Sequence, residues 1–343
     1  MASKSFVSQV VRGSLLIAGT AIGAGLLGIP LLTYHAGAFP ATFITFAVWL
    51  YMLATGLLLL EVTLWMDEGT NILSMSKRFL GYKGRAVAGV VYLFLYYSLM
   101  VAYFSAGAPL LSAFLQGVFG LEISGAFANF IFGALFFSIV SLGLRSVDRV
   151  NYILMMGLVA SFILLIGSGL QDIKLESFIH ADYAKGFLAT PRLFGAFGYP
   201  NVIPSLTTYF KKNAKVMRFS IIFGTTIPLA VYILWQWMII GAIPSSLVLD
   251  AVEKGLPITS ALMVLTHKPW ISITGQVFSF FAIVTSVMGV AFAMVDFIGD
   301  GLKMTRIGRS RIFLTFLTFF PPFLLSSIDP FLFVIALPLA GGF

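Results

Sequence analysis

The sequence predicts an all-α polytopic membrane protein made of two five-span halves of opposite sense, with the first and sixth spans broken. Three observations carry this. The 343 residues are 59% hydrophobic and only 10% charged, against roughly 25% charged residues in a soluble domain, and their mean hydropathy is +1.00. Apolar runs long enough for a hydrocarbon core of about 30 Å recur along the chain, without the short alternating segments of a transmembrane barrel. Two of those runs, five spans apart, carry glycines and prolines that a helix interior disfavours.

The first span, near residues 12–33, follows a short basic start (Lys4, Arg12). It is too long for the apolar region of a signal peptide and lacks a small-residue cleavage site, so it reads as a retained span. Within it, GTAIGAGLLGIP sets Gly19, Gly23, Gly25 and Gly28 ahead of Pro30, each Gly costing about 1 kcal/mol relative to Ala in a helix interior. Spans two to five lie near 39–64, 86–114, 125–144 and 150–169. Span six, near 190–210, repeats the oddity in GAFGYPNVIPS, with Gly195, Gly198, Pro200 and Pro204. Spans seven to nine lie near 217–243, 271–298 and 309–328, and a tenth starts at Pro330. The 14 residues from Pro330 to Phe343 fall short of the roughly 17–25 that a span needs, which reads as a C-terminally shortened chain. The expected organisation is one membrane domain, 1–343, with a first repeat over 12–169 and a second over 190–343 that is incomplete at span ten.

The charges give orientation. Sixteen basic residues fall in the loops of one side and five in those of the other, so the positive-inside rule puts the N-terminus in the cytoplasm. The net charge of +8 is then a cytoplasmic face beside anionic membrane lipid, and no nucleic-acid partner is implied. The absence of cysteine excludes disulfides, thiolate metal sites and cysteine nucleophiles. His35, His180 and His267 lack metal-ligand spacing, and GTAIGAG lacks the lysine-serine ending of a phosphate-binding loop. An integral membrane enzyme would need a cluster of His, Asp or Glu at the interface, and the sequence offers none; an ion channel is the other class to set against a carrier.

Taken alone, Gly19 and Gly23 read equally as a small-xxx-small contact that lets helices approach. Paired with the window at 195–205 in a five-span repeat, they read as an unwound helix, the mark of an inverted-repeat transporter. Breaking a helix inside a bilayer frees N–H groups on one half and C=O groups on the other, tolerated only where they line a cavity or meet a ligand. Half-helix N-termini favour a carboxylate and exposed carbonyls a cation. Both together, without a buried charge, suit a zwitterionic amino acid and a coupling ion.

AGTAIGAGLLGIPL, LLLLEVTLW, FGAFGYPNVIPSLTTY, IPLAVYILWQW and AIVTSVMGVA resemble the bacterial aromatic amino acid permeases, and most of all the tyrosine-specific permeases of the hydroxy/aromatic amino acid permease family. The resemblance runs from about residue 10 to 340 and implies the leucine-transporter-like fold of the amino acid/polyamine/organocation superfamily. It implies import of an aromatic amino acid, tyrosine first and tryptophan or a broader neutral set second, by cation symport across the bacterial inner membrane, with no cofactor. The chain departs from that fold in lacking most of span ten and all of span eleven. Ala24 and Gly25 fall where backbone N–H groups hold the substrate carboxylate, with Thr20 and Gly23 beside them. Tyr103 resembles the tyrosine that contacts that carboxylate, Tyr97 lies six residues earlier, and Phe197 or Tyr199, beside Gly198, matches the aromatic lid. Gly19 and Ile22 fall where carbonyls hold a sodium ion in sodium-coupled relatives. Ala282, Thr285 and Ser286 reproduce that site's A-x-x-T-S spacing.

That spacing puts one carbonyl and two hydroxyls on a single helical face, a donor set suited to a hard cation. The competing reading is that Thr285 and Ser286 bond back to their own helix. Some proton-coupled members replace the ion with a lysine in span five. Here the matching position is apolar, around Leu158, which favours sodium while leaving the proton open. Among other polar residues, Glu61 ends span two where a carboxylate reaches water, and Gln236 is expected to bond a neighbouring helix. Asp296 and Asp300 are expected to be solvated at the end of span eight rather than to form an ion-pair latch. The oligomeric state is not legible.

Overall fold

The computed structural model describes residues 5–23, 25–123, 125–253, 258–268 and 270–328, so the expected tenth span lies outside the described residues. Span one is two helices, α1 (Phe6–Ala21) and α2 (Gly25–Thr33). Span two is α3 (Ala38–Trp65), and span three is α4 (Ile72–Phe119), longer than its apolar run. Asn71 starts α4 by accepting from the Ile72 N–H at 2.7 Å. Gly81, at φ +70°, kinks it, and Gly120 ends it in the left-handed region, donating to the Gln116 and Leu115 carbonyls. Spans four and five are α5 (Gly125–Ser141) and α6 (Leu144–Gly169). α6 begins earlier than its hydropathy indicates, because its first polar turn is buried through Asp148 and Asn151.

Span six is divided: α8 (Thr190–Ala196), preceded by the short α7 (Tyr183–Phe187), is followed by a 3-10 turn at Pro200–Val202 and by α9 (Ile203–Tyr209). Span seven is α10 (Ala214–Ala242), capped by Asn213, whose side chain accepts from the Val216 N–H at 3.1 Å. The short helices α11 (Ser245–Glu253) and α12 (Ile258–Thr266) precede span eight, α13 (Trp270–Leu302), and span nine, α14 (Gly308–Ile328). Six of the described helices are each long and apolar enough to cross a membrane, while α1 and α5 are apolar but shorter. α1 makes up its length by continuing into α2.

Because lipid is as apolar as leucine, close backbone approach and polar pegs hold such helices together. α13 is the axis, buried on every side from Ala282 to Gly299, as a helix apolar all round should be. One apolar cluster gathers Ile17, Tyr103, Phe132, Leu206 and Val295. A second gathers Ile22, Leu26, Leu158, Phe197, Tyr232 and Phe278. The interruptions of spans one and six lie where the two clusters meet. α1 presses on α10 at Gly224, where a Cβ would lie 2.7 Å from Ile17 Cβ and 2.9 Å from the Ser14 carbonyl. α3 is pegged to α10 three times: Trp49 Nε1 donates to Thr225 at 3.2 Å, Gln236 Nε2 to Thr45 at 3.1 Å and Trp237 Nε1 to Thr42 at 2.7 Å. Gln236 thus bonds a neighbouring helix, as expected.

The basic loops gather at one end. Arg12 pairs with the buried Asp148 at 2.5 Å, joining the start of α1 to α6, and Tyr209 donates to the same carboxylate at 3.5 Å. Lys212 Nζ donates to the Met66 carbonyl at 2.6 Å, and Arg85 to the Gly301 carbonyl at 2.9 Å. Glu61 is half-exposed, 3.6 Å from Arg218. The expectation for Asp296 and Asp300 is corrected. Asp296 is 5% exposed and lies 3.8 Å from Arg306. Asp300 accepts from the Ser74 N–H at 2.8 Å and the Ser74 hydroxyl at 2.7 Å. The end of α13 crosses the start of α4, so Asp300 meets the positive end of that helix.

Gly224→Leu is expected to force α10 away from Ile17, at an overpacking cost of about 1–3 kcal/mol. The thermal unfolding midpoint of the purified protein in detergent should fall; an unchanged midpoint would contradict the close approach of α1 and α10.

Candidate functional site

A helix end leaves its last four carbonyls without partners, and inside a membrane each must find one. At the end of α1 all four do. The Ala18 carbonyl accepts from the Ile22 N–H at 2.8 Å. The Gly19 and Thr20 carbonyls both accept from the Ser286 hydroxyl, each at 3.0 Å. The Ala21 carbonyl accepts from the Tyr232 hydroxyl at 2.5 Å. Beyond the end of α1 the Leu26 N–H donates to the Gly23 carbonyl at 3.1 Å. Ala24 lies outside the described residues, and Gly25 is the first residue of α2.

Span six is interrupted in the same manner. After Ala196 the Phe197 N–H still reaches the Leu193 carbonyl at 3.0 Å, and the Gly198 N–H turns back to Gly195 at 3.1 Å. A Cβ on Gly198 would sit 2.9 Å from that Gly195 oxygen, so a larger residue would open the turn. The Ala196 carbonyl accepts from Tyr232 at 3.1 Å. One phenol, fully buried in α10, therefore stands between the last carbonyls of both leading half-helices. It has one hydrogen to share between the two acceptors.

The other residues singled out by the sequence divide into two groups. Gly23, Tyr103 and Ser286 come together: a Cβ on Gly23 would overlap the Ser286 hydroxyl and lie 3.6 Å from the Tyr103 hydroxyl. Phe197 is fully buried and meets the Tyr232 ring edge-on, with centroids 5.1 Å apart. Thr20 is close by, but its hydroxyl turns back to the Leu16 carbonyl at 2.8 Å and its side chain packs on Gly289. Tyr199 points elsewhere, donating to the Met52 carbonyl of α3 at 2.7 Å beside Gly56. Tyr97 likewise turns away, to the Leu317 carbonyl of α14 at 3.0 Å.

Ala282, Thr285 and Ser286 are buried, and the last two face α1. Ser286 crosses to α1, whereas Thr285 bonds back to the Phe281 and Ala282 carbonyls at 2.9 and 3.1 Å. Thr285 thus bonds back to its own helix, while Ser286 bonds across to α1. Two residues that sequence reasoning missed complete the surroundings. Tyr232 carries no local signal among 12 tyrosines; only its long-range partners mark it. Asn151, a polar residue one turn beyond the charged start of α6, approaches Gly19 together with Met155. Among the described residues named at the two breaks, none is charged.

The chain matches the tryptophan/tyrosine permease family over residues 7–343. It is 32% identical to the tyrosine-specific transport system 1 of Haemophilus influenzae, covering 98% of this chain and 84% of that protein. It is 31% identical to the tryptophan-specific transport protein of the same organism, covering 97% and 83%. Among solved structures it is similar to MhsT in complex with L-phenylalanine, at a TM-score of 0.67 and 16% identity over 99% of this chain and 87% of that one. It is also similar to Mhp1, a nucleobase-cation-symport-1 family transporter, at 0.68 and 12% identity over 93% and 72%. At those identities the two structures establish the leucine-transporter-like fold.

Tyr232→Phe keeps the ring against Phe197 and removes the hydrogen that the phenol offers to the Ala21 and Ala196 carbonyls. Leaving such buried acceptors unpaired costs about 1–3 kcal/mol, so the variant's unfolding midpoint should drop below wild type. Equal midpoints would mean that the two carbonyls are satisfied without the phenol.

Proposed function

Since this chain belongs to the tryptophan/tyrosine permease family, we propose that it is a secondary transporter importing an aromatic amino acid, tyrosine first, by symport with a cation. The proposed setting is the bacterial inner membrane, with the basic end and the N-terminus in the cytoplasm. The carrying observation is the pair of interrupted spans whose leading halves end at a single hydroxyl, with no charged side chain beside them among the described residues. Such a site offers partial charges of both signs. The N–H groups opening α2, at Ala24 and Gly25, take the carboxylate, aided by Tyr103 and the close approach allowed at Gly23. The carbonyls ending α1 and α8 take the ammonium.

Phe197, rather than Tyr199, is the aromatic partner of the substrate ring in this reading, because Tyr199 is committed to α3. A cation held by Gly19, Ile22, Ala282, Thr285 and Ser286 drives uptake. That ion is sodium or a proton; the lack of an ionisable residue opposite Gly19 in α6 supports sodium. The two halves of each interrupted span pivot at their breaks as the site alternates between the two sides. The relative specific for tryptophan supports tryptophan as the second substrate.

Uptake of labelled tyrosine, tryptophan and leucine into proteoliposomes, with sodium and pH gradients imposed separately, tests this. Saturable tyrosine uptake that competes with tryptophan is expected, and Gly23→Ala should reduce it at least tenfold, by analogy with losses from misplacing a reacting group. Absence of saturable uptake of any amino acid would sink the proposal.

A further inference from the structure

At the basic end, α1 and α10 run side by side in the same sense, and a groove opens along the flank of their contact. Val7, Val11 and Leu15 form one wall and Phe219, Phe223 and Ile227 the other. Both sets are spaced by four residues and so lie on one helical face each. Eight residues at 1.5 Å apiece give the groove a length of about 12 Å, along the bundle rather than across it. It holds about 380 Å³. Its floor, at Val10, is buried, while Val7 and Phe223 on its rim are 67% and 52% exposed.

One cation stands at its mouth. Lys215 Nζ lies 5.5 Å from the centroid of the Phe6 ring, and that ring meets Phe219 edge-on, with centroids 6.0 Å apart. No described carboxylate pairs with Lys215: Glu61 lies 3.6 Å from Arg218, and Asp148 is taken by Arg12. The neighbouring Lys212 is spent on the Met66 carbonyl. The groove therefore has a charged end at the level of the basic loops and an apolar length running inward from it. A phospholipid has the same polarity: a phosphate at the membrane surface and an acyl chain crossing about half of the 30 Å hydrocarbon core. Basic pockets between membrane helices hold anionic headgroups in this manner.

We propose that this groove is a binding site for an anionic phospholipid of the leaflet at the basic end, with the phosphate on Lys215 and one acyl chain laid between α1 and α10. The site lies at the opposite end of α1 from its contact with Ser286, and it holds whatever the transported substrate is. Its consequence is mechanical. α1 meets α10 directly where the Ser220 hydroxyl donates to the Val10 carbonyl at 3.4 Å and where Ile17 packs on Gly224. An acyl chain along the flank of that line packs against both helices and resists their separation. The first half of span one is thereby held to span seven through lipid as well as through protein.

The test is stabilisation of the full chain in detergent by added lipid, reading the unfolding midpoint while dioleoylphosphatidylglycerol or dioleoylphosphatidylcholine is titrated. The phosphatidylglycerol should raise the wild-type midpoint saturably, and at lower concentration than the phosphatidylcholine. Lys215→Gln should need about fivefold more phosphatidylglycerol for half the effect, the factor that one lysine near an anionic surface contributes. Arg309→Gln, an equal loss of charge at an exposed position on α14, should titrate like wild type. Val11→Trp, which fills the groove from its rim, should abolish the saturable rise, and Val7→Trp takes its place if that variant does not fold. Equal effects of the two lipids, an equal shift in Arg309→Gln, or groove-filling variants that titrate like wild type would overturn the proposal. So would a midpoint that follows protein concentration and not lipid, which would give the groove to a second copy of the chain.

Discussion

A carbonyl group cannot be left bare in hydrocarbon, and the centre of this molecule is arranged around the carbonyls that end α1. Ala18 is served by the chain itself, Gly19 and Thr20 by Ser286, and Ala21 by Tyr232. Only the first of these four is local. The other three are met by hydroxyls from α13 and α10, so the carbonyls freed at the interruption are satisfied only in the assembled bundle.

The same arrangement gives the centre its chemical character. Ser286 and Tyr232 each present one hydrogen to two carbonyls, so the paired ends of α1 and α8 hold more acceptor capacity than the protein fills. A ligand with several donors would complete it, and an ammonium group brings three. Neither the ligand nor the protein must then bury an unpaired charge, since the compensating partial charges belong to backbone already in place. The aromatic surroundings are divided in the same way: Phe197 stays against Tyr232 at the centre, while Tyr199 anchors the far side of the span-six turn on α3.

Much of this was legible in the sequence, in a consistent pattern. Features written in local spacing were readable: the apolar spans, the glycines and prolines that interrupt spans one and six, and the i, i+3, i+4 set of Ala282, Thr285 and Ser286. Features that depend on which helix meets which were not. Tyr232 stands in an apolar run with nothing local to mark it, and Asn151 follows the charged turn at Asp148; each is distinguished by partners on other helices, Ala21 and Ala196 for the first and Leu15 for the second. Asp296 and Asp300 look like a solvated helix end until α4 is laid across them. α7, α11 and α12 went unseen because hydropathy read at span length averages over such short helices. Thr285 and Ser286 show the limit plainly, since of two adjacent hydroxyls one bonds back to its own helix and the other crosses to α1.

The central claim is that backbone groups at the two interruptions, not charged side chains, bind the transported amino acid. The most direct measurement is a cryo-electron microscopy structure of the full chain with tyrosine and sodium bound, at a resolution that places the zwitterion. The account predicts the carboxylate at the N–H groups opening α2, with the ammonium between the carbonyls of Ala21 and Ala196 in contact with the Tyr232 hydroxyl. Tyrosine bound away from both interruptions, with the ends of α1 and α8 unchanged and still closed on Tyr232, would contradict it.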